Sequence, residues 1–282
     1  MFTRDELIAA AGVKPSGGLL PMRFAGGAVD SRQIQRGELF IALPGTQTDG
    51  HRFIGAAVRA GAAAILCQHP DEEATTRGVP QIVVSDPLDV LQRLANRHLR
   101  RQPYTRVIAV TGSNGKTSVK EATAALLQHL GPTLKTAGNL NTETGVPLTL
   151  LRLNPEHKFA VLEMGAQWVG EISVLCRIAP PDIAVVTVVG PEHLEFFGSM
   201  ENVAKAECEA VVALPADGIA ILNDDDRAVR KMAKKTRAHI VTYGRRPIAS
   251  VRAQRSGGDT LTGMRFTITY GGQRARVHLN MP

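Results

Sequence analysis

Apolar residues recur along this chain in two rhythms, short unbroken runs that read as buried strands and stretches spaced three and four apart that read as amphipathic helices. Residues 5 to 12 predict a short helix. A turn at Asp30 and a kink at Gly37 then lead into the strand Leu39-Phe40-Ile41-Ala42, followed by a loop from Pro44 to Gly50. Phe53 to Ala60 has helical spacing, Ala62 to Cys67 and Gln81 to Val84 read as strands, and Pro87 to Arg100 as an amphipathic helix. Together these make an α/β unit of about a hundred residues. Arg101-Gln102-Pro103-Tyr104 breaks the pattern with a proline, so a domain boundary is expected there, giving domains of residues 1–103 and 104–282.

From Arg106 onward strand and helix alternate. The strands are Val107 to Val110, Thr133 to Thr136, Phe159 to Met164, Ile183 to Val188 and Gly218 to Leu222. That alternation predicts a mainly parallel sheet wrapped by helices, whose ligands sit at the carboxyl ends of the strands. The loops after Val110, Met164 and Val188 are therefore expected to converge. Arg252 to Leu279 alternates apolar and polar residues around Gly257-Gly258 and Gly271-Gly272, the pattern of antiparallel hairpins.

The first of those loops carries chemistry. Thr111-Gly112-Ser113-Asn114-Gly115-Lys116-Thr117 joins an apolar strand to a helix, the setting of a nucleotide phosphate cradle. Glycines let backbone N–H groups of Ser113, Asn114 and their neighbours close around phosphate oxygens. Lys116 supplies a cation for the terminal phosphates, and the Thr117 hydroxyl can ligate Mg²⁺. Ser118 completes the predicted ATP-binding stretch. The general P-loop pattern asks for a glycine where Val110 stands, so the motif is a shortened form. A turn that merely caps a helix is the plain alternative, and the strand before it argues against that.

Composition narrows the class. The chain has 282 residues, 44% of them hydrophobic, enough for two domains each with its own core. Its apolar runs are strand-sized, far short of a membrane span, and the charged start Met1-Phe2-Thr3-Arg4-Asp5-Glu6 lacks a secretory apolar region. A cytoplasmic, monomeric protein without membrane insertion is expected. The formal charge of +7 comes with only 4% aromatic residues and no basic run interleaved with stacking side chains, so an anionic small substrate is expected rather than nucleic acid. Arg100-Arg101 and Arg245-Arg246 read as solvated loop charges. Cys67, Cys176 and Cys208 are odd in number and widely spaced, which indicates neither a zinc site nor a disulfide frame.

Three further sites sit on the expected strand ends and loops. Glu163 ends the apolar strand Val161-Leu162 and stands where a P-loop protein holds Mg²⁺ directly or through water. His193 follows Val189-Gly190-Pro191-Glu192 to the same edge, either as an unremarkable loop histidine or as a second metal ligand. The polar segment from Gly138 to Pro147, with Asn139, Asn141 and Thr142, either caps a helix or orients a substrate.

In this order these residues resemble the Mur ligase family, whose phosphate loop reads T-G-[ST]-N-G-K-T and accommodates Val110. Val29-Asp30-Ser31-Arg32, Gly37-Glu38-Leu39-Phe40 and Asp49-Gly50-His51 look like its amino-terminal uridine-nucleotide domain. Gly138-Asn139-Leu140-Asn141, Leu162-Glu163-Met164-Gly165-Ala166 and His193-Leu194-Glu195-Phe196-Phe197-Gly198-Ser199 resemble the branch that joins D-Ala-D-Ala to UDP-N-acetylmuramoyl-tripeptide with ATP. A branch that adds a diamino acid to the dipeptide precursor matches those segments less well. The third reading is a non-catalytic module that binds UDP-muramoyl peptides. The resemblance implies peptidoglycan precursor synthesis through an acyl phosphate, catalysed with Lys116, Glu163 and His193. It places Thr117 and Glu163 on one Mg²⁺, His193 on a second, and Ser31 and Arg32 in the UDP site, with Asn139, Asn141 and Thr142 towards substrate.

Two departures from the family matter. The family's carbamylated lysine falls near Lys205 and Glu207, two positions that point to nearly opposite sides of a helix. The family spacing favours Glu207, an encoded carboxylate in place of the carbamate. The chain also stops at Pro282, before the family's adenine-side helix and third domain, so this stretch is expected to bind the UDP substrate better than ATP and to ligate poorly.

Overall fold

The computed structural model describes residues 1–45, 48–259 and 263–279. Of the expected loop from Pro44 to Gly50, Thr46 and Gln47 lie outside the described residues, as does Pro282. The early elements are β1 (Phe2–Thr3), α1 (Arg4–Ala11), β2 (Arg23–Phe24), β3 (Gly27–Ala28), β4 (Leu39–Ile41), α2 (Ile54–Ala60), β5 (Ala64–Cys67), α3 (Glu72–Thr76), β6 (Gln81–Val83) and α4 (Pro87–Arg100). Next come β7 (Arg106–Thr111), α5 (Lys116–Leu127), β8 (Thr133–Lys135), α6 (Gly145–Leu150), β9 (Phe159–Glu163), α7 (Glu171–Ile178) and β10 (Ile183–Val186). The chain continues through α8 (Leu194–Phe197), α9 (Met200–Val212), β11 (Ile219–Asn223), α10 (Arg227–Met232), β12 (His239–Gly244), β13 (Val251–Asp259), β14 (Gly263–Tyr270) and β15 (Gln273–Leu279). The class is α/β, as expected. No helix among the described residues is long and apolar enough to cross a membrane.

Two compact units interleave along the chain. The first comprises Met1–Thr105, Ala124–Val161 and Arg177–Ala179, and the second Arg106–Thr123, Leu162–Cys176 and Pro180–Pro282.

The first unit holds a parallel sheet in the order β3-β4-β5-β6. Apart from Gln81 in β6, its strands are apolar on both faces, as strands covered on both sides are. Phe40, Ile65 and Cys67 pack with Ile54, Ala57 and Ala74 from α2 and α3. Burial pushes the Cys67 thiol up to about 11, with Asp71 adding to the shift. Helix α4 matches its expected range because its ends are written locally: the Asp86 carboxylate accepts the N–H groups of Leu88 and Asp89, and Pro87 opens the first turn. Its apolar stripe, Val90, Leu91, Leu94 and Leu99, is buried. His98 on the same stripe lies 2.9 Å from Glu6 Oε1 and 3.1 Å from the Leu153 carbonyl oxygen. Glu6 also completes a capping box with Thr3 at the start of α1.

The second unit carries β7, β10, β11, β12 and β13 in parallel, with β7 beside β10 and each later strand beside the one before. Strands β13, β14 and β15 then form an antiparallel ribbon. One expectation needs correction here. Gly257 and Gly258 do not turn the chain; they lie within β13 beside a register shift between Arg255 and Gly257, since glycine in a strand accommodates a bulge as readily as a turn. The reversal between β13 and β14 falls outside the described residues. Gly271 and Gly272 do form the second turn, at φ +55° and +79°, as a two-residue hairpin with right-handed strand twist requires.

Candidate functional site

Strand β7 ends at Thr111 and α5 begins at Lys116, leaving Gly112 to Gly115 as the connecting turn. Gly112 has φ +125°, and a Cβ there would strike Thr187 Oγ1 and come within 3.0 Å of the Thr187 and Val188 nitrogens. Only glycine fits. Gly115, at φ +81°, supplies the second left-handed position. The loop after β10 braces this turn: Ser113 N–H donates to the Val188 carbonyl at 2.8 Å, and Thr187 Oγ1 donates to the Asn114 carbonyl at 2.6 Å. A helix that opens directly after such a turn offers unpaired N–H groups and the positive end of its dipole to an anion. Asn114, Thr117 and Ser118 are exposed at this mouth.

Three charged side chains, Lys116, Glu192 and Glu163, lie at this turn. Lys116 Nζ donates to the Gly112 carbonyl at 2.6 Å and to both carboxylate oxygens of Glu192 at 3.0 Å. Thr117 Oγ1 donates to Glu163 Oε2 at 3.0 Å. Glu163, at the end of β9, is 3% exposed, and Met164 just beyond it donates its N–H to the Val110 carbonyl, which fixes that strand end beside β7. A hydroxyl and a carboxylate side by side are hard oxygen donors, the pair that a magnesium ion takes along with several waters.

Lys120, one turn along α5, is fully buried, with Nζ 3.6 Å from Glu163 Oε2 and 3.1 Å from Glu121 Oε1. Sequence reasoning missed it, although four residues after Lys116 places it on the same helix face. Glu192 was likewise passed over as the residue before His193.

Behind the turn lies Glu207, 4% exposed on α9, whose Oε2 is 2.5 Å from Thr111 Oγ1. Burial pushes this carboxyl up to about 7, against the pull of hydrogen bonds from Thr111 and the Gly112 N–H and of the Lys116 charge. Thr111 Oγ1 donates to Glu207 Oε2 and also has the Met164 carbonyl within reach at 2.9 Å, a second acceptor for its one proton. Lys205, two residues earlier, is exposed on the outer side of α9, whose inner face buries Val203 and Ala206 against Phe197.

His193 directly follows Glu192. It adopts a left-handed conformation, φ 49° and ψ 35°, at the start of α8, with its ring 40% exposed. Its Nε2 is 3.9 Å from Glu192 Oε1, and its ring is 6.2 Å from that of Phe196. Among the described residues no group of three or more histidine, cysteine, aspartate or glutamate side chains converges on a metal position.

The remaining expected positions belong to the first unit. Ser31 and Arg32 line a cavity of about 530 Å³ with Val29, Leu43, Thr48 and Phe53. Arg32 folds onto Asp30, donating from Nε at 2.9 Å and from its terminal nitrogen at 2.8 Å, and these bonds hold the Asp30 carboxyl below its ordinary range. At Asp49-Gly50-His51, the Gln68 N–H donates to His51 Nε2 at 2.8 Å, so Nδ1 carries the proton facing Asp49 at 2.7 Å. The Thr142 hydroxyl accepts the Gly145 N–H at 3.3 Å in the turn before α6, whose N-cap is Thr144. Asn139 is exposed and Asn141 half-buried, with its N–H donating to the Asn139 carbonyl at 2.8 Å.

A parallel sheet whose strand-to-helix turn presents a lysine beside a threonine and a buried carboxylate defines a P-loop protein of the α/β class. The chain belongs to the Mur ligase family: residues 110–282 match the Mur ligase middle domain, and residues 24–99 match the domain described as Mur ligase family, catalytic domain. It is similar to UDP-N-acetylmuramoyl-tripeptide--D-alanyl-D-alanine ligase of Escherichia coli (strain K12), with 46% identity over 197 residues covering 70% of this chain and 42% of that protein. Among solved structures it is similar to MurF from Acinetobacter baumannii, with TM-score 0.87 and 29% identity over 99% of this chain and 61% of the other. It also resembles the MurF ligase of Thermotoga maritima solved in complex with ADP, with TM-score 0.77 and 31% identity over 90% of this chain and 57% of the other. The chain spans about half the length of the curated relatives it matches.

Proposed function

We propose that this chain supplies the substrate-binding and nucleotide-binding portion of an ATP-dependent ligase that joins D-Ala-D-Ala to UDP-N-acetylmuramoyl-tripeptide in the cytoplasmic synthesis of peptidoglycan precursors. Residues 1–103 form the UDP-substrate domain, with Ser31 and Arg32 at the nucleotide. Residues 104–282 belong to the ATP domain. The carboxylate of the tripeptide attacks the γ-phosphate to give an acyl phosphate and ADP, and the amine of D-Ala-D-Ala then displaces phosphate.

The residues suit this order of events. The turn from Gly112 to Gly115 offers N–H groups to the phosphates, and Lys116 counters the charge that builds on them in transfer. Bound Mg²⁺ would neutralise charge between the two approaching anions, and Thr117 and Glu163 would hold it. His193 would serve a second ion after moving from its place beside Glu192. Glu207 stands for the family's carbamate as an encoded carboxylate, and exposed Lys205 takes no part.

The observation that carries this reading is the contact of Thr117 with Glu163 under a lysine-bearing phosphate turn, in a chain that matches both Mur ligase segments. Calorimetric titration tests it. The chain should bind Mg-ATP and UDP-N-acetylmuramoyl-tripeptide independently, K116A should lose the first and R32A should weaken the second. Failure to bind the UDP-peptide would refute the assigned substrate.

A further inference from the structure

The ammonium of Lys116 has three protons, and the structure accounts for all three: one acceptor is the Gly112 carbonyl at 2.6 Å and two are the carboxylate oxygens of Glu192 at 3.0 Å. A phosphate oxygen can therefore reach Lys116 only by replacing one of them. The neutral carbonyl can stay. The carboxylate cannot comfortably remain, because it would share one cation with a second anion at hydrogen-bond range.

Glu192 also belongs to a loop that is attached elsewhere to the same turn. Gly190 N–H donates to Ser113 Oγ at 2.9 Å, and Thr187 Oγ1 donates to the Asn114 carbonyl. These neutral bonds survive the arrival of an anion, so release at Glu192 would leave the loop hinged rather than free. Beyond the hinge sits His193, whose φ of 49° is the one positive value at a non-glycine residue among those described. Such a conformation is strained for a residue that carries a Cβ and persists only while its surroundings impose it. Glu192 Oε1 lies 3.0 Å from Lys116 Nζ and 3.9 Å from His193 Nε2, so its departure would change the surroundings of both.

We propose that Glu192 is a placeholder for the terminal phosphates, holding Lys116 at the phosphate turn and giving way when a triphosphate binds, so that His193 is freed to turn. This rests on the reading of the turn as a triphosphate site. It assigns Glu192 a positioning role that the phosphate loop alone does not reveal.

The chain's single tryptophan reports on the motion. Trp168 packs edge-on against Phe196 at 5.4 Å between ring centroids, and Phe196 in turn faces His193. The experiment titrates wild type, E192Q, E192A and K116A with Mg-AMP-PNP and with magnesium tripolyphosphate, following heat and Trp168 fluorescence. Removing the competing carboxylate should tighten binding of both probes by about two- to fivefold, the range expected for a partly exposed ion pair. The fluorescence change on binding should shrink, because the loop is already released. A merely structural Glu192 would weaken binding instead. Unchanged or weaker affinity in both Glu192 variants, with K116A losing the probes, overturns the assignment of Glu192 alone. Full affinity in K116A overturns it together with the triphosphate reading.

Discussion

Glu207 and Thr111 share a 2.5 Å hydrogen bond directly behind the phosphate turn, and that bond places a carboxyl where water does not reach. Burial holds Glu207 up to about 7, so the folded protein keeps a proton that the unfolded chain releases near the ordinary value of 4.5. Its favourable contribution is present below about pH 4.5 and is lost as pH rises through about 7. E207Q keeps the shape without the charge. It should match wild type near pH 5 and gain about 1–3 kcal/mol over it at pH 8, as read by urea denaturation at the two values. Equal stability differences at both would show that Glu207 ionises freely.

The Glu6–His98 pair has the opposite sign. Burial alone would raise the Glu6 carboxyl, but hydrogen bonds from His98 and Thr3 and the charge of the imidazolium bring it down to about 2. The stabilisation is complete above the ordinary glutamate value of 4.5 and disappears as pH falls through about 2. Chemical denaturation between pH 7 and 3 should show wild type losing about 1–3 kcal/mol more than E6Q, which is unable to titrate there. H98A should cost about 3–5 kcal/mol at pH 7 by stranding a buried carboxylate.

Lys120 and Glu163 should be coupled. With Lys120 fully buried and Glu163 3% exposed, K120M is expected to destabilise the protein by about 3 kcal/mol or more, because the carboxylate loses its neighbouring cation. The double variant K120M/E163Q should recover about 1–3 kcal/mol of that loss. Simple additivity in the cycle would mean that Lys120 serves Glu121 rather than Glu163.

G112A tests the close approach of the turn to the β10 loop. An added methyl would meet Thr187 Oγ1 and two backbone nitrogens, none of which can withdraw without opening the brace between the loops. A cost of about 1–3 kcal/mol and loss of triphosphate binding are expected. In the same protein G115A, where the added atom enters open space, should pay mainly for its left-handed φ, about 1–2 kcal/mol. Equal effects at the two glycines would remove the steric argument.

Much of the architecture was legible because it is written locally. Val107 to Val110, Phe159 to Met164 and Ile183 to Val188 are apolar runs between strong turn signals, and Asp86-Pro87 announces the start of α4. Strands β1, β2 and β3 are two residues each, too short to carry any period, and are defined by their partners alone. Helix α3, with the polar sequence Glu72-Glu73-Ala74-Thr75-Thr76, buries only Ala74 and shows no apolar stripe. The phosphate turn announced itself through residue types at fixed spacing. Its partners did not: Glu192 lies 76 residues from Lys116, and Glu6 lies 92 from His98, distances at which only the folded chain makes neighbours. Arg245-Arg246, read as solvated charges, do expose Arg245. Their backbone N–H groups nonetheless anchor on the Asp225 carboxylate, and Arg246 reaches Asp224 at 3.2 Å.

The left-handed backbone at His193 limits which replacements there can be interpreted. Valine or isoleucine would remove the imidazole and force the main chain out of its well at once, so a loss of function could not be ascribed to either change. Asparagine and glycine tolerate that geometry, and asparagine also keeps a polar side chain near the ring's position. The informative alphabet at residue 193 is therefore these two letters, chosen by a torsion angle before any chemistry is considered.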